Sequence, residues 1–552
     1  MTIALVTATA AGRAAAAELS SRWPDTRTYP VAEIGVAWRE CQALVCFLAV
    51  GAAVRLLAPL LAGKDVDPGV VCVDEARRFA VAVLGGHGGG ANALAERAAD
   101  ALGGTAVLTT GTDATGLAGL DQLGWPVHGD IAAVTRAMLD GAEVTLTADA
   151  SWPLPPLPVV VAPTPIPPSI VVTDRLVDLP GPVVLLRPPS LVVGVGASSG
   201  VPRAEVLGLI RESLATGGLA AESIRELSTV DLKATEPGIV AAAGELGVPL
   251  LTHPAQTLAT VDVPDPSEVV RAAVGTPSVA EAAALASGGE LIVPKRKSAH
   301  ATVAVARVRP RGRLAVVGLG PGAADLTTPR ATAELRRASV IVGLDQYVDR
   351  VRGVLRPGTR VAASGLGDEE RRAGLAVELA RAGHAVALLG SGDAGVYGMA
   401  SPALDAADGS FDVVGVPGVT AMLAAAAALG APLGHDHAAI SLSDLHTPWP
   451  VIEQRVRAAA TGDLVVAFYN PRSRGRDWQL GAALALLAKE RAPDTPVGVV
   501  TNASTPGQTL HVSTLSTVDV ELVGMSSLVV VGSSSSRIVA GRFVTPRGYR
   551  WR

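Results

Sequence analysis

Short runs of Val, Leu, Ile and Ala alternate with alanine-rich, partly polar stretches along almost the whole chain. The runs cover 3–6, 43–50 and 70–73 near the start, then 192–195, 314–317, 340–342, 386–389, 464–468 and 528–531. They are continuous and lack the in–out alternation of a half-exposed strand. A strand apolar at every position is covered on both faces, so the pattern predicts mostly parallel sheets with helices on either side. The fold class it implies is α/β, in several domains.

Two breaks interrupt the pattern. Residues 152–168 read WPLPPLPVVVAPTPIPP, too rich in proline for a helix or a central strand. Residues 307–313 read RVRPRGR, a basic stretch just before a fresh strand. With 552 residues, and roughly 150 per domain, three or four domains are expected. The boundaries are placed at 1–130, 131–190 for a proline-rich module, 191–308, and 313–552.

Composition then narrows the function classes. Only 18% of residues are charged and the net charge is −5, with no sustained basic stripe, which argues against a nucleic-acid partner. The cysteines Cys41, Cys46 and Cys72 lie in apolar stretches without metal-ligand spacing and read as core thiols of a reducing compartment. The opening MTIALVTATA reads as a first strand rather than a signal peptide. The apolar run 43–54 is far shorter than the roughly 20 residues of a membrane span. The expectation is a cytoplasmic protein with no membrane association.

Chemistry concentrates in glycine turns after strands. Residues 314–328, LAVVGLGPGAADLTT, place Gly318, Gly320, Pro321 and Gly322 in one such turn. With Ala323 and Asp345 the turn also meets the loose dinucleotide pattern G-x-G-x-x-G/A. Alone it admits an NAD site, a methyl-donor site or an ordinary tight turn. Four further segments follow in order: LLGSGDAGVYGMAS at 388–401, FDVVGVPGVTA at 411–421, LVVAFYNPRSRGR at 464–476 and GVVTNASTPGQ at 498–508. Together these resemble the tetrapyrrole (corrin and porphyrin) methylase family over 313–552. The GDAGVYGMA form, FYNPRSR and the terminal VTPRGY at 544–549 look like its precorrin-3B carbon-17 methyltransferase group.

That resemblance implies two α/β subdomains with S-adenosyl-L-methionine held in the cleft between them. The matching donor positions are Gly318, Gly320, Pro321, Ser391, Gly392, Asp393, Val396, Thr420, Ala421, Asn470 and Ala503. Corrin precursors carry several carboxylates, which guanidinium groups bind well; Arg472, Arg474 and Arg476 are the candidates, against a solvated loop. The subgroup also contracts the macrocycle, leaving an extruded carbon tied into a lactone, and this needs an acid or base. Asp325 and Tyr397 are candidates. His435, His437 and His446 meet no metal-ligand spacing, so no metal site is expected and cobalt enters only as part of the substrate.

In the N-terminal half a strand at 79–84 leads into Gly85, Gly86, His87, Gly88, Gly89 and Gly90, then a helix from Ala91. Free N–H groups on such a loop favour an anion, and His87 is suited to acid–base work near neutral pH; a tight turn with an incidental histidine is the alternative. GAAVRLLAPLL at 51–61, DPGVVCVDE at 67–75, GGHGGGAN at 85–92 and TVDLKATEPG at 229–238 resemble the cobalt-precorrin-5A hydrolase family. So do 264–285 and 290–307. That resemblance implies a second α/β unit of two subdomains that opens the ring-A lactone and releases acetaldehyde, with Asn92 facing substrate. The family usually shows Gly-Cys-Arg-Lys where this chain has Gly196, Ala197, Ser198 and Ser199. Asp231, Lys233 and Glu236 are alternative polar players, or a salt bridge.

Three readings therefore stand. One is a bifunctional methyltransferase and lactone hydrolase acting on corrin precursors, with cobalt-loaded substrate and, by resemblance, a homodimer. The second keeps the methyltransferase with a non-catalytic corrinoid-binding half. The third is an NAD-dependent oxidoreductase.

Overall fold

The computed structural model describes residues 2–63, 66–86 and 88–548. The chain divides into two units: Met1–Ser151 with Leu157–Pro310 and Arg356–Gly358, and Trp152–Pro156 with Arg311–Leu355 and Thr359–Arg552. Among the described residues no helix is long and apolar enough to cross a membrane.

Among the described residues the first unit holds three sheets. The first runs in the order Thr26–Pro30, Ile3–Thr7, Ala43–Phe47, Gly69–Val73, Phe79–Leu84, Thr105–Val107. Ile3–Thr7, Ala43–Phe47 and Gly69–Val73 are buried at every position. Their alternate side chains feed two cores, Leu5 and Val45 with Leu19 and Leu94 on one face, Ala4 and Leu44 with Ala53 and Leu57 on the other. Cys46 and Cys72 are register partners in this sheet, and burial pushes the Cys72 thiol up to about 12 and the Cys46 thiol higher still.

The second sheet runs Val127–Gly129, Val183–Leu186, Ser169–Val172, Thr145–Ala148, Val160–Val161. The proline-rich stretch contributes only Val160–Val161, an exposed edge strand, as expected where many residues lack an N–H. The third sheet runs Leu250–His253, Ile224–Val230, Leu191–Ala197, Ala301–Arg307, Glu290–Lys297. A Cβ on Gly194 would overlap the Ala280 carbonyl, so glycine there lets the helix Val279–Leu285 lie directly on the central strand.

The second unit has two lobes. Its first sheet, Arg360–Ser364, Val340–Leu344, Ala385–Gly390, Arg313–Gly318, Asp412–Val416, is parallel throughout. The helix after the first turn, Pro329–Arg337, starts with proline and is capped by Thr328, whose hydroxyl accepts from Ala331 N at 3.1 Å. The second lobe is mixed, in the order His437–Ser441, Val465–Tyr469, Ser527–Val531, Pro496–Thr501, Thr509–Thr514.

Most strand pairs among the described residues are parallel, as the apolar runs predict, but several sheets are mixed. Ser527–Val531 is antiparallel to both neighbours, Leu191–Ala197 to Ala301–Arg307, and Gly69–Val73 to Phe79–Leu84. A continuous apolar run reports burial on two faces and carries no information about the direction of the strand alongside.

Candidate functional site

In the first lobe of the second unit, Ala385–Gly390 and Asp412–Val416 flank Arg313–Gly318, so three turns emerge side by side at the carboxyl ends. The chain leaves Arg313–Gly318 toward one edge of the sheet and leaves the adjacent Ala385–Gly390 toward the other, the arrangement that opens a ligand crevice in parallel sheets. Gly320, at φ +74°, exchanges backbone hydrogen bonds of 3.0 and 2.9 Å with Gly392. A Cβ on Gly318 would stand 2.8 Å from both Gly392 O and Gly418 N, and one on Gly418 would overlap Gly392 O. Asp393 ties two of the turns together: Oδ1 accepts from Gly395 N at 2.8 Å and Oδ2 from Gly418 N at 3.0 Å. The crevice floor is therefore backbone, held by one carboxylate.

The second lobe meets this floor through specific groups. A Cβ on Gly392 would lie 3.5 Å from the Thr420 Cα and 3.4 Å from Ala421 N. Thr420 Oγ1 and the Tyr469 hydroxyl share a 2.5 Å hydrogen bond, and Met422 N donates to the same hydroxyl at 3.1 Å. Burial raises the Tyr469 phenol, partly offset by the Thr420 bond. Asn470 follows at φ +48°, its Nδ2 donating to Ser441 Oγ at 3.1 Å. Across the crevice, Ala323 N donates to Ser504 Oγ at 3.4 Å and a Cβ on Gly322 would be 3.5 Å from Ala503 O. Tyr397 holds a φ of +51°, its ring lies tilted with its centroid 5.2 Å from that of Tyr469, and its hydroxyl donates to Ala439 O at 2.8 Å. Tyr397, Asn470, Asn502 and Ser504 all carry positive φ, a concentration of backbone strain of the kind found at ligand clamps.

Most candidate positions are brought together here. Gly318, Gly320, Gly392, Asp393, Thr420, Ala421, Asn470 and Ala503 connect through the contacts just given. Pro321 is half-buried in the first turn, Val396 closes a turn onto Asp393 O at 3.1 Å, and Ser391 is exposed beside them. Asp325 is exposed on the short helical turn Ala324–Leu326. Of the arginines, Arg472 departs from expectation: it forks onto the Glu521 carboxylate at 2.9 and 2.8 Å and donates to Val520 O at 2.8 Å, so its charge is already paired. Arg476 braces Asn470 O at 3.0 Å, and Arg474 is exposed. Among the described residues no three His, Cys, Asp or Glu side chains group to hold a metal. Two contributors were not singled out in the sequence. Tyr469 sits inside the quoted FYNPRSR; Arg350, whose guanidinium donates to Leu319 O and Gly320 O at 3.4 and 3.3 Å behind the first turn, lies in no motif.

The dinucleotide reading fails on strand order. Asp345 follows Val340–Leu344, but Ala385–Gly390 lies between that strand and Arg313–Gly318. At about 4.8 Å per strand this sets Asp345 roughly 10 Å to one side, whereas a dinucleotide fold puts the acidic residue on the adjacent strand.

In the first unit, the glycine loop lies against Gly69, where a Cβ would overlap Gly89 O. Gly85 and Gly90 take φ of +63° and +73°. Two N–H groups at the helix start are satisfied within the loop: Ala91 N and Asn92 N donate to Gly85 O and Gly86 O at 3.1 and 3.0 Å. His87 lies outside the described residues, as does Tyr549 of the terminal motif. Asn92 is 5% exposed; its Nδ2 donates to Thr110 Oγ1 at 3.1 Å and Asp113 Oδ2 at 2.6 Å. In the third sheet's loop, Lys233 Nζ donates to Ser199 Oγ and pairs with Glu236 Oε2, both at 3.0 Å, while Glu236 Oε1 accepts from Gly200 N at 2.7 Å. That pairing with Lys233 holds Glu236 below the usual carboxylate range. Asp231 is exposed at the start of the turn Asp231–Lys233.

Residues 313–519 match the model of the tetrapyrrole (corrin/porphyrin) methylases. The probable cobalt-factor III C(17)-methyltransferase of Salmonella typhimurium is 46% identical over 239 residues, 43% of this chain and 99% of that protein. The chain belongs to the tetrapyrrole methylases. The precorrin-3B C(17)-methyltransferase of a Sinorhizobium species is 42% identical over 234 residues, 41% of this methylase chain and 91% of that one. The crystal structure of the methyltransferase CobJ is 41% identical, with a TM-score of 0.41, covering 43% of this chain and 100% of that one. Ahead of the methylase region, residues 33–113 and 191–306 match the models for the cobalamin synthesis G N-terminal region and C-terminus. The methylase is thus fused to a cobalamin synthesis G-like half.

Proposed function

We propose that the chain is a bifunctional enzyme of cobalamin biosynthesis. One activity methylates carbon 17 of precorrin-3B or its cobalt-loaded counterpart with ring contraction; the other opens the lactone of cobalt-precorrin-5A and releases acetaldehyde. The observation that carries the first is the convergence of three strand-end turns and the Ala503–Ser504 turn on one backbone-lined crevice. S-adenosyl-L-methionine supplies an activated methyl group there. Backbone N–H and C=O groups accommodate an adenine edge and an amino-acid end without bulky side chains, and Asp393 fixes the turns that present them. Methyl transfer is an in-line displacement, so what the residues contribute is alignment. Relatives named for cobalt-factor III and for precorrin-3B align over the same region, which supports the ring and carbon position.

Tyr469→Phe removes the hydroxyl that bonds Thr420 and Met422 N. One such bond contributes about 1 kcal/mol, so the donor KM should rise roughly fivefold with kcat little changed, read from initial rates at varied donor.

The hydrolase assignment rests on the two cobalamin synthesis G segments and on the family motifs. A non-catalytic corrinoid-binding half is the second reading. It is favoured by Ala197, Ser198 and Ser199 standing where the family shows Cys-Arg-Lys, and by Lys233 being paired with Glu236. Acetaldehyde release from cobalt-precorrin-5A by the full chain decides between them; none from folded protein sinks the hydrolase. Methyl transfer is expected on the cobalt-loaded acceptor. Turnover on metal-free precorrin-3B alone would contradict that choice.

A further inference from the structure

The turn that carries Asn470 is held against its own backbone preference. His437–Ser441 and Val465–Tyr469 run parallel with Ser441 level with Tyr469, so the segments that follow them leave the sheet together. Asn470 takes a φ of +48°, while the proline after it, Pro471, pushes the preceding residue toward extended backbone. A closed ring of hydrogen bonds opposes that push. Arg476 Nε donates to Asn470 O at 3.0 Å and Nη1 to Ser443 Oγ at 3.4 Å. Ser443 N donates to Ser441 Oγ at 3.3 Å, and Asn470 Nδ2 donates to the same oxygen at 3.1 Å. Arg476 reaches back this far because Ser473 and Arg476 exchange backbone bonds of 2.9 and 3.1 Å in a tight turn.

We propose that Arg476 is a positioning residue of the methyl-donor site, acting through Asn470 rather than on a carboxylate of the acceptor. This rests on the reading of the crevice as the donor site. Both groups that the guanidinium bonds are neutral, so what it supplies is a planar fork of fixed geometry, which a lysine lacks. A non-glycine residue in the left-handed region is disfavoured roughly 5- to 150-fold, and the ring offsets that bias. Tyr469 directly precedes Asn470, and its hydroxyl joins Thr420 and Met422 N beside Gly392. Letting Asn470 relax to extended backbone therefore disturbs the second lobe's half of the crevice, with or without an acceptor bound. With Arg472 already on Glu521, Arg474 alone of the three arginines stays open to an acceptor carboxylate.

The test titrates S-adenosylhomocysteine into the full chain and measures initial rates with the cobalt-loaded acceptor. Arg476→Ala should weaken S-adenosylhomocysteine binding about tenfold and raise the donor KM to match. The acceptor KM and kcat should change little, because saturating donor draws the turn back. Arg476→Lys keeps the charge without the fork and should cost about fivefold in the same two quantities. It carries the test should the alanine variant fail to fold. In an Asn470→Gly background, where glycine takes the left-handed turn freely, Arg476→Ala should cost less than about threefold. No S-adenosylhomocysteine binding by the unaltered, folded chain would defeat the donor reading itself. Binding by the unaltered chain that persists within about twofold in Arg476→Ala or Arg476→Lys would overturn this assignment while leaving that reading intact. A rise confined to the acceptor KM would overturn it equally, and would return Arg476 to the acceptor's carboxylates.

Discussion

Replacing Gly418 with alanine is expected to abolish methyl transfer, lowering kcat/KM by about 100-fold or more. The added Cβ would overlap Gly392 O and lie 2.7 Å from the carbonyl carbon and oxygen of Gly318. All of these are backbone atoms, so no side chain can swing aside. Relief requires parting two turns that are anchored on hydrogen-bonded neighbouring strands. Overpacking of this kind costs about 1–3 kcal/mol, or a fall of roughly 2–12 °C in the melting temperature of a unit this size. The larger effect is on rate, because a displacement of about 1 Å in an aligning site costs about 100-fold. Gly415, on the strand leading to the same turn, has open space around its Cβ position. Gly415→Ala should leave both rate and melting temperature unchanged. Steady-state kinetics and thermal melts of the two variants check the pair; activity within threefold of normal in Gly418→Ala would refute the packing argument.

The second large effect concerns stability of the first unit. Asp174 is 4% exposed and lies between the second and third sheets. Arg307 Nε and Nη2 fork onto its two oxygens at 2.7 Å each, and Ser190 Oγ donates at 2.6 Å. The pairing raises the Arg307 guanidinium above its ordinary value. Asp174→Ala strands a mostly buried cation and a buried hydroxyl together. Removing one member of a buried pair typically costs about 3–5 kcal/mol, and with Arg307 partly solvated about 3 kcal/mol is expected. Urea unfolding should show that loss as a lower midpoint at an unchanged slope, while methyl transfer under native conditions persists. A loss below about 1 kcal/mol would mean that water already carries the Arg307 charge.

How far the sequence anticipated the site follows from what each signal reports. The turns at Gly318–Gly322, Ser391–Asp393 and Thr420–Ala421 were legible because each is a local motif directly after a strand. Their gathering in one crevice was legible only through the family resemblance, since strand order is not written in any local pattern. The same gap made the dinucleotide pattern look admissible until Ala385–Gly390 was found between the two strands it needs. The glycine loop before Ala91 shows a different limit. Its composition suggested free N–H groups, but which are free depends on how the loop closes, and Gly85 O and Gly86 O accept from Ala91 N and Asn92 N. Arg472 read as an open guanidinium because its partner, Glu521, lies 49 residues away. Thr110 and Asp113 carried no signal at all: they belong to no motif and meet Asn92 across 18 and 21 residues.

The proposed methyl transfer requires that the crevice bind the methyl donor. Isothermal titration of S-adenosylhomocysteine into the full chain, with NADH titrated in parallel, tests this directly. Saturable binding of one S-adenosylhomocysteine per chain, with no heat from NADH, is the result the strand order and the backbone floor predict. NADH binding, or no S-adenosylhomocysteine binding by folded protein, would contradict it.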